Sequence, residues 1–240
     1  MELQKIYRAI FFDAGGTLFA PHPSVGEIYT RIAGKHGMKV NAKQMETLFR
    51  EEFGRRDKLV SLEAHSNEKN EKEWWKKLVC EIFSKVTTVQ SFDSFFEELY
   101  DLFASAEVWK LYPDVTQTLD SLKKQNITLG IVSNWDSRLF SICRGMGLDK
   151  YFDFILASAV VGSAKPDSGI FKEALQRAKV SPDKALHIGD SLENDVWGAK
   201  RAGIDALLIN RNGRAVSEVD CIMSLNDLIS INSNNGSAMS

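Results

Sequence analysis

Five short apolar runs constrain the fold of this chain more than any other feature. They are "AIFF" at 9–12, "ITLGIVS" at 127–133, "FDFILAS" at 152–158, "ALHIGD" at 185–190 and "DALLIN" at 205–210. Each is short, rich in β-branched or large apolar residues and bounded by a loop, so each reads as a buried strand. Helical patterns at Val115–Lys124, Ser137–Met146, Gly169–Ala178 and Asn194–Ala202 precede the last four in turn. Strands that alternate with helices need crossover connections, and these imply an α/β fold with a mostly parallel sheet flanked by helices. The first run, "AIFF", belongs with that set.

Residues 19–110 differ. They carry helical periodicity and no convincing strand. Ile28, Ile32 and Ala33 share a face, as do Leu48, Glu52 and Leu59 less regularly. Trp74, Trp75, Leu78, Val79, Ile82 and Phe83 form one apolar stripe, and Phe92, Phe95, Phe96, Leu99 and Phe103 another. Aromatics at that spacing are expected to pack between helices rather than to hold a cofactor. The expected organisation is a core, residues 1–18 and 111–230, interrupted by a helical insertion, residues 19–110. The small polar tail "INSNNGSAMS", 231–240, is expected to be disordered.

A chain of 240 residues with 44% apolar content can bury one large core and a smaller one. Its 30 basic and 32 acidic residues leave a net charge of −2, which argues against nucleic acid as a partner. The apolar run at Ile10–Phe12 is far too short to span a bilayer, so no membrane partner is expected. The first strand begins close to Met1 and leaves no room for a presequence, so a cytoplasmic location is expected. Cys80, Cys143 and Cys221 show no CxxC and no paired spacing, and are expected as buried or unreactive thiols. The oligomeric state stays open.

Ligands of an open parallel sheet bind beyond the carboxyl ends of its strands. Those ends deliver Asp13 followed by Gly15, Gly16 and Thr17; Ser133 with Asn134; Lys165 in "SAKPDSGIF"; and Asp190 followed by Ser191, Asn194 and Asp195. Carboxylates, hydroxyls and one lysine thus converge on one edge. They suit phosphoryl-type or acyl-type transfer, with Asp13 as a nucleophile that splits one displacement into two steps. Mg²⁺ held by Asp13 and Asp190 would offset repulsion between two anions. Lys165 would add fixed positive charge. Ser133, the Asn134 backbone and the glycine turn would donate hydrogen bonds to oxygens that gain charge. Gly15 and Gly16 would let the backbone approach a ligand closely.

These four segments, "FFDAGGTL", "IVSN", "SAKPDSGIF" and "HIGDSLENDVWGAKRAG", resemble in order the four motifs of the haloacid dehalogenase superfamily, a group of mostly phosphatases. The resemblance covers residues 1–18 and about 111–230, and its last motif is long and specific. Within the superfamily, "SNWDSRL" and the helical stretch after the first motif are similar to one particular subfamily. The resemblance implies a Rossmann-like core with a helical cap inserted after the first strand. It implies Asp13 as nucleophile and Mg²⁺ on Asp13, the Gly15 carbonyl and Asp190. Ser191, Asn194 and Asp195 would stand behind those ligands. Gly16, Thr17, Ser133, Asn134 and Lys165 would bind the phosphoryl group of a small substrate, with Lys165 also steadying the nucleophile.

Gly15 departs from the pattern. The superfamily's phosphatases carry a second aspartate there, which protonates the leaving oxygen and then activates water. General acid–base help of that kind is worth ~10²–10⁴ in rate. Metal and phosphate binding are therefore expected to survive better than turnover, which leaves a weak hydrolase or a ligand-binding regulatory protein. Two further chemistries lack that acid. Dehalogenases of the superfamily carry tyrosine and do without the metal, against which Asp190 speaks. Phosphonatases carry alanine and use a cap lysine as a Schiff base, for which Lys35, Lys39 and Lys43 lie in plausible territory. His22, between two prolines, could supply a replacement acid but fits a solvated loop better. His187 is expected as a satisfied core residue, and His36 and His65 as surface positions.

Overall fold

The structure, a computed structural model, describes residues 6–60, 66–211, 213 and 219–229; the expectations for His65 and the tail 231–240 fall outside them. Strand β1 (Ala9–Phe12) leads into a short β2 (Phe19–Pro21). Four helices follow: α1 (Val25–Lys35), α2 (Ala42–Val60), α3 (Glu68–Ser84) and α4 (Phe92–Leu102). The chain then returns through β3 (Trp109–Leu111), which pairs antiparallel with β2. From there it alternates: α5 (Val115–Lys124), β4 (Thr128–Ser133), α6 (Arg138–Gly145), β5 (Phe154–Ala157), the short α7 (Ser158–Val161), α8 (Ser168–Ala178), β6 (Ala185–Gly189), α9 (Gly198–Arg201), β7 (Asp205–Ile209) and β8 (Cys221–Ile222).

The sheet order is β5-β4-β1-β6-β7-β8 and every pair is parallel. β1 is central, and the order reverses on either side of it, the place where open α/β sheets bind ligands. Alternation along β1 divides the interior. Ile10 and Phe12 pack with Leu119 of α5 and Ile142 of α6, while Ala9 and Phe11 pack with Phe171 of α8 and Ala199 of α9. Both faces of each central strand are covered, which is why these strands read as continuous apolar runs.

The helices between β2 and β3 bury a separate cluster that includes Ile28, Ile32, Leu78, Ile82, Phe83, Phe95 and Leu99. Phe83 and Phe95 meet edge to face with centroids 4.7 Å apart. Caps set the helix starts: Ser24 accepts from the Glu27 amide at α1, and Asn67 from the Asn70 amide at α3. Among the described residues no helix is long and apolar enough to cross a membrane.

Three expectations need correction. The stretch 19–110 does contain strand: β2 and most of β3 lie within it, three residues each and invisible to periodicity. Residues 194–202 are not one regular helix. Leu192–Trp197 wind as a π-helix started by Ser191 and run straight into α9; such wide turns recur at functional sites. The thiols are not alike. Burial pushes Cys143 up to about 12, but Cys80 is exposed.

Candidate active site

Parallel pairing brings the expected polar residues together. The Asp13 amide donates to the Ile188 carbonyl at 2.8 Å, which holds the end of β1 against the end of β6. Asp13 Oδ1 accepts from Ser133 Oγ at 2.8 Å and from Lys165 Nζ at 2.6 Å. Lys165 Nζ also donates to Asp195 Oδ1 at 2.5 Å. Asp195 is held further by the Ser191 amide at 3.0 Å and by His187 Nε2 at 2.9 Å. The loop that carries Lys165 is clamped by Asn134, whose side chain donates to the Lys165 carbonyl and accepts from its amide. Asn134 therefore spends one donor and one acceptor of its side chain on positioning that loop.

Electrostatics separate the four charged groups. Burial alone would lower Lys165, but the Asp13 and Asp195 carboxylates hold it protonated. Burial alone would raise Asp195, yet Lys165 and His187 keep it ionised. Asp13 and Asp190 shift the other way. Desolvation raises both; Lys165 pulls Asp13 back in part, while the Asp13 and Asp195 charges push Asp190 higher. Asp190 is the exposed member of the three acids, and protein crowded around its carboxyl raises it even so.

One carboxylate oxygen each of Asp13, Asp190 and Asp195 lies within 4.8 Å of the others, a hard-oxygen set that suits Mg²⁺. A cation there would reverse the upward shifts of Asp13 and Asp190. Asp13 Oδ2 accepts no hydrogen bond among the described residues, so it is the oxygen left over for a metal or for chemistry. These residues fit the ion that the motifs imply.

A cavity of about 370 Å³ opens above this floor. Gly15, Gly16, Ser133, Asn134, Ser191 and Asn194 line it together with the charged groups. Thr17 does not. It is fully buried, its Oγ1 has no partner, and its carbonyl accepts from Arg211 at 2.7 Å.

A family model described as "haloacid dehalogenase-like hydrolase" matches residues 7–203. The chain belongs to this family. Haloacid dehalogenase-like hydrolase domain-containing protein 3 of Mus musculus is 35% identical over 204 residues, 84% of this chain and 81% of that protein. It represents the subfamily to which "SNWDSRL" points. A HAD phosphatase from Thermococcus onnurineus shares 27% identity at a TM-score of 0.67, covering 93% of this chain and 97% of that one. The putative HAD-hydrolase YfnB from Bacillus subtilis superposes with a TM-score of 0.77 at 20% identity, covering 95% and 99%.

For a haloacid dehalogenase-like chain, the glycines of the first motif are used unexpectedly. They leave room for the protein's own side chains. Gly16 has φ +79°, and a Cβ there would sit 2.2 Å from Asp190 Oδ2. At Gly15 a Cβ would come within 3.0 Å of the Trp135 ring. The indole thus covers the position from which a second acid would project. Trp135 is held by Phe19 and Trp109, with centroids 5.9 and 5.3 Å away.

The other candidates separate cleanly. His22 is exposed and does not line the cavity. Lys35 pairs with Glu98 on the surface, Lys39 and Lys43 are exposed, and none of the three lines the cavity. His36 is half-buried against Phe95 and bonded to Glu98, not a free surface residue. His187 is buried as expected but only half satisfied: Nδ1 has no partner, and burial keeps the ring neutral.

Sequence reading missed the far wall. Phe49, Phe53, Trp75, Phe96 and Phe103 line the cavity as well as packing between helices. It also missed the link between wall and sheet. Tyr100 donates to Asp136 at 2.6 Å, Arg138 lies 3.6 Å over the Tyr100 ring, and Glu68 accepts from the Ser137 amide. The residues after Ser133 in "SNWDSRL" were the available signal.

Proposed function

We propose that this chain is a Mg²⁺-dependent hydrolase that removes a phosphoryl group from a small molecule through Asp13, with α1–α4 as the cap over the site. The observation that carries this reading is the placement of Asp13: Oδ1 is tied to Ser133 and Lys165, and Oδ2 accepts no hydrogen bond from the described residues. A carboxylate fixed by one oxygen is oriented for attack by the other. Asp13, the Gly15 carbonyl and Asp190 would hold Mg²⁺, which when bound would neutralise charge on the phosphoryl oxygens. Lys165 opposes the desolvation that raises Asp13, and is itself kept cationic by Asp13 and Asp195. The Ser133 hydroxyl and the Asn134 amide offer donors to the transferred group.

The test is phosphate release from an aryl phosphate by the wild type and by Asp13→Asn. The substitution is expected to reduce release to background, and equal rates would remove Asp13 from the chemistry. Trp135 over Gly15 favours one alternative, a protein that binds phosphorylated ligands with little turnover. Thermal stabilisation by such a ligand without any product would decide for it.

A further inference from the structure

Resting on the reading of Asp13 as phosphoryl acceptor, three observations narrow the substrate. The first is the missing proton donor. Trp135 covers the place beside Gly15, Asp13 and Asp195 are tied to Lys165, Asp190 is assigned to Mg²⁺, and the lining phenols are Tyr29 and Tyr100. Tyr100 already donates to Asp136, and burial raises both Tyr29 and Tyr100 above the ordinary tyrosine range. A leaving oxygen here gets no help from a good acid, so it must depart as its anion.

The second is the wall, where Phe49, Phe53, Trp75, Phe103, Trp109 and Trp135 surround the space above Asp13. Rings at that density favour an apolar, flat group. The third is charge. Among the described residues lining the cavity the only lysine or arginine side chains are Lys165 and Arg138. Lys165 is committed to Asp13 and Asp195, and Arg138 to Asp136 and the Tyr100 ring. Among the described residues no side-chain cation is left for a carboxylate or a second phosphate, and few wall groups can bond the hydroxyls of a sugar.

We propose that the pocket takes the monophosphate ester of a small apolar phenol. In the first step the Asp13 oxygen–phosphorus bond forms and the phosphorus–oxygen bond to the ring breaks. The electron pair leaves on the phenolate, which is protonated by solvent after release. Water then attacks the aspartyl phosphate and passes a proton to a phosphoryl oxygen, which restores the Asp13 carboxylate and releases dihydrogen phosphate. With no base at residue 15 the second step is the slow one, so the first turnover appears as a burst of about one phenol per active site.

The experiment compares phenyl phosphate with benzyl phosphate and glycerol phosphate, using the full chain with Mg²⁺. The ring is the same in the first pair, and only the acidity of the leaving oxygen differs. Phenyl phosphate is expected to exceed benzyl phosphate by ~10²–10⁴ in kcat/KM, the worth of the missing acid. Glycerol phosphate is expected to be poorer still. Equal rates for phenyl and benzyl esters, or preference for glycerol phosphate, would overturn the proposal. The double variant Gly15→Asp/Trp135→Ala should narrow the phenyl-to-benzyl gap, with Trp135→Ala alone as the folding control; an unchanged gap would count against it.

If the wild type hydrolyses no ester, the Asp13 reading falls by itself. The pocket is then judged by tryptophan fluorescence and thermal shift with phenylphosphonate against methylphosphonate. Preference for the aryl ligand upholds the aryl pocket, and equal affinity overturns it.

Discussion

On the floor of the cavity three carboxylates and one ammonium crowd at the ends of β1 and β6, in the π-helix after β6 and in the loop between α7 and α8; on its helical side Phe49, Phe53, Trp75 and Phe103 meet the same space with rings. The floor is specified atom by atom. Moving Lys165 by an ångström would break contacts of 2.6 and 2.5 Å to two buried acids. The wall is specified by volume and shape, since ring contacts with centroids 5.9 and 6.1 Å apart tolerate exchange of one apolar group for another. One side of the cavity is thus rigid in chemistry and the other adaptable in what it admits.

The largest expected effect comes from breaking the floor. Lys165→Met removes the shared partner of two buried carboxylates and is expected to cost ~5 kcal/mol, the upper end for orphaning buried charge. Urea denaturation measures it. If the acids form a cation site, Mg²⁺ should restore part of the loss for the variant, and no Mg²⁺ effect would separate the acids from metal binding.

Next in size is the helical core behind the wall. Phe83 is fully buried against Tyr29 and Phe95 and does not line the cavity. Phe83→Ala is expected to cost ~3–4 kcal/mol as a cavity. Hydrogen exchange should rise in α1, α3 and α4 while amides of β1, β4 and β6 keep their protection. Equal loss in both regions would show that the two cores unfold as one unit.

The smallest effect concerns a charge far from the floor. Glu52 is buried in α2 and paired with Lys85 and Arg55, both about half exposed. Hydrogen bonds from Lys85 and Arg55 hold its carboxyl at about 2. A lowered carboxyl stabilises the fold above its ordinary range and loses that contribution as pH falls toward about 2. Because its partners are half in water, Glu52→Gln is expected to cost only ~1 kcal/mol at neutral pH. The difference from wild type should vanish in acid melts near pH 2, and a constant difference across pH would assign the effect to packing.

Much of the sheet was legible in sequence. Strands with both faces buried must be apolar throughout, so the observed bounds of β1, β4, β5, β6 and β7 fall inside the five runs. Asp13, Ser133 and Asp190 were legible for the same reason, because a polar residue that closes such a run has nowhere to point but the sheet edge. Strands β2 and β3 were not, since three residues cannot establish a period. The aromatic wall was half legible. Helical spacing revealed packing faces, but one face buried against helices and the same face overhanging a cavity have identical periodicity.

What the sequence determined alone is the order of strands and helices and the polar residues at the strand ends, because each depends on neighbours a few positions apart. Tertiary structure decided what fills the space at Gly15. Trp135 lies 120 positions away and reaches it because β4 pairs with β1 in one register and Phe19 and Trp109 brace the ring. No local pattern encodes that contact; it comes from the sheet pairing and from close packing around the ring.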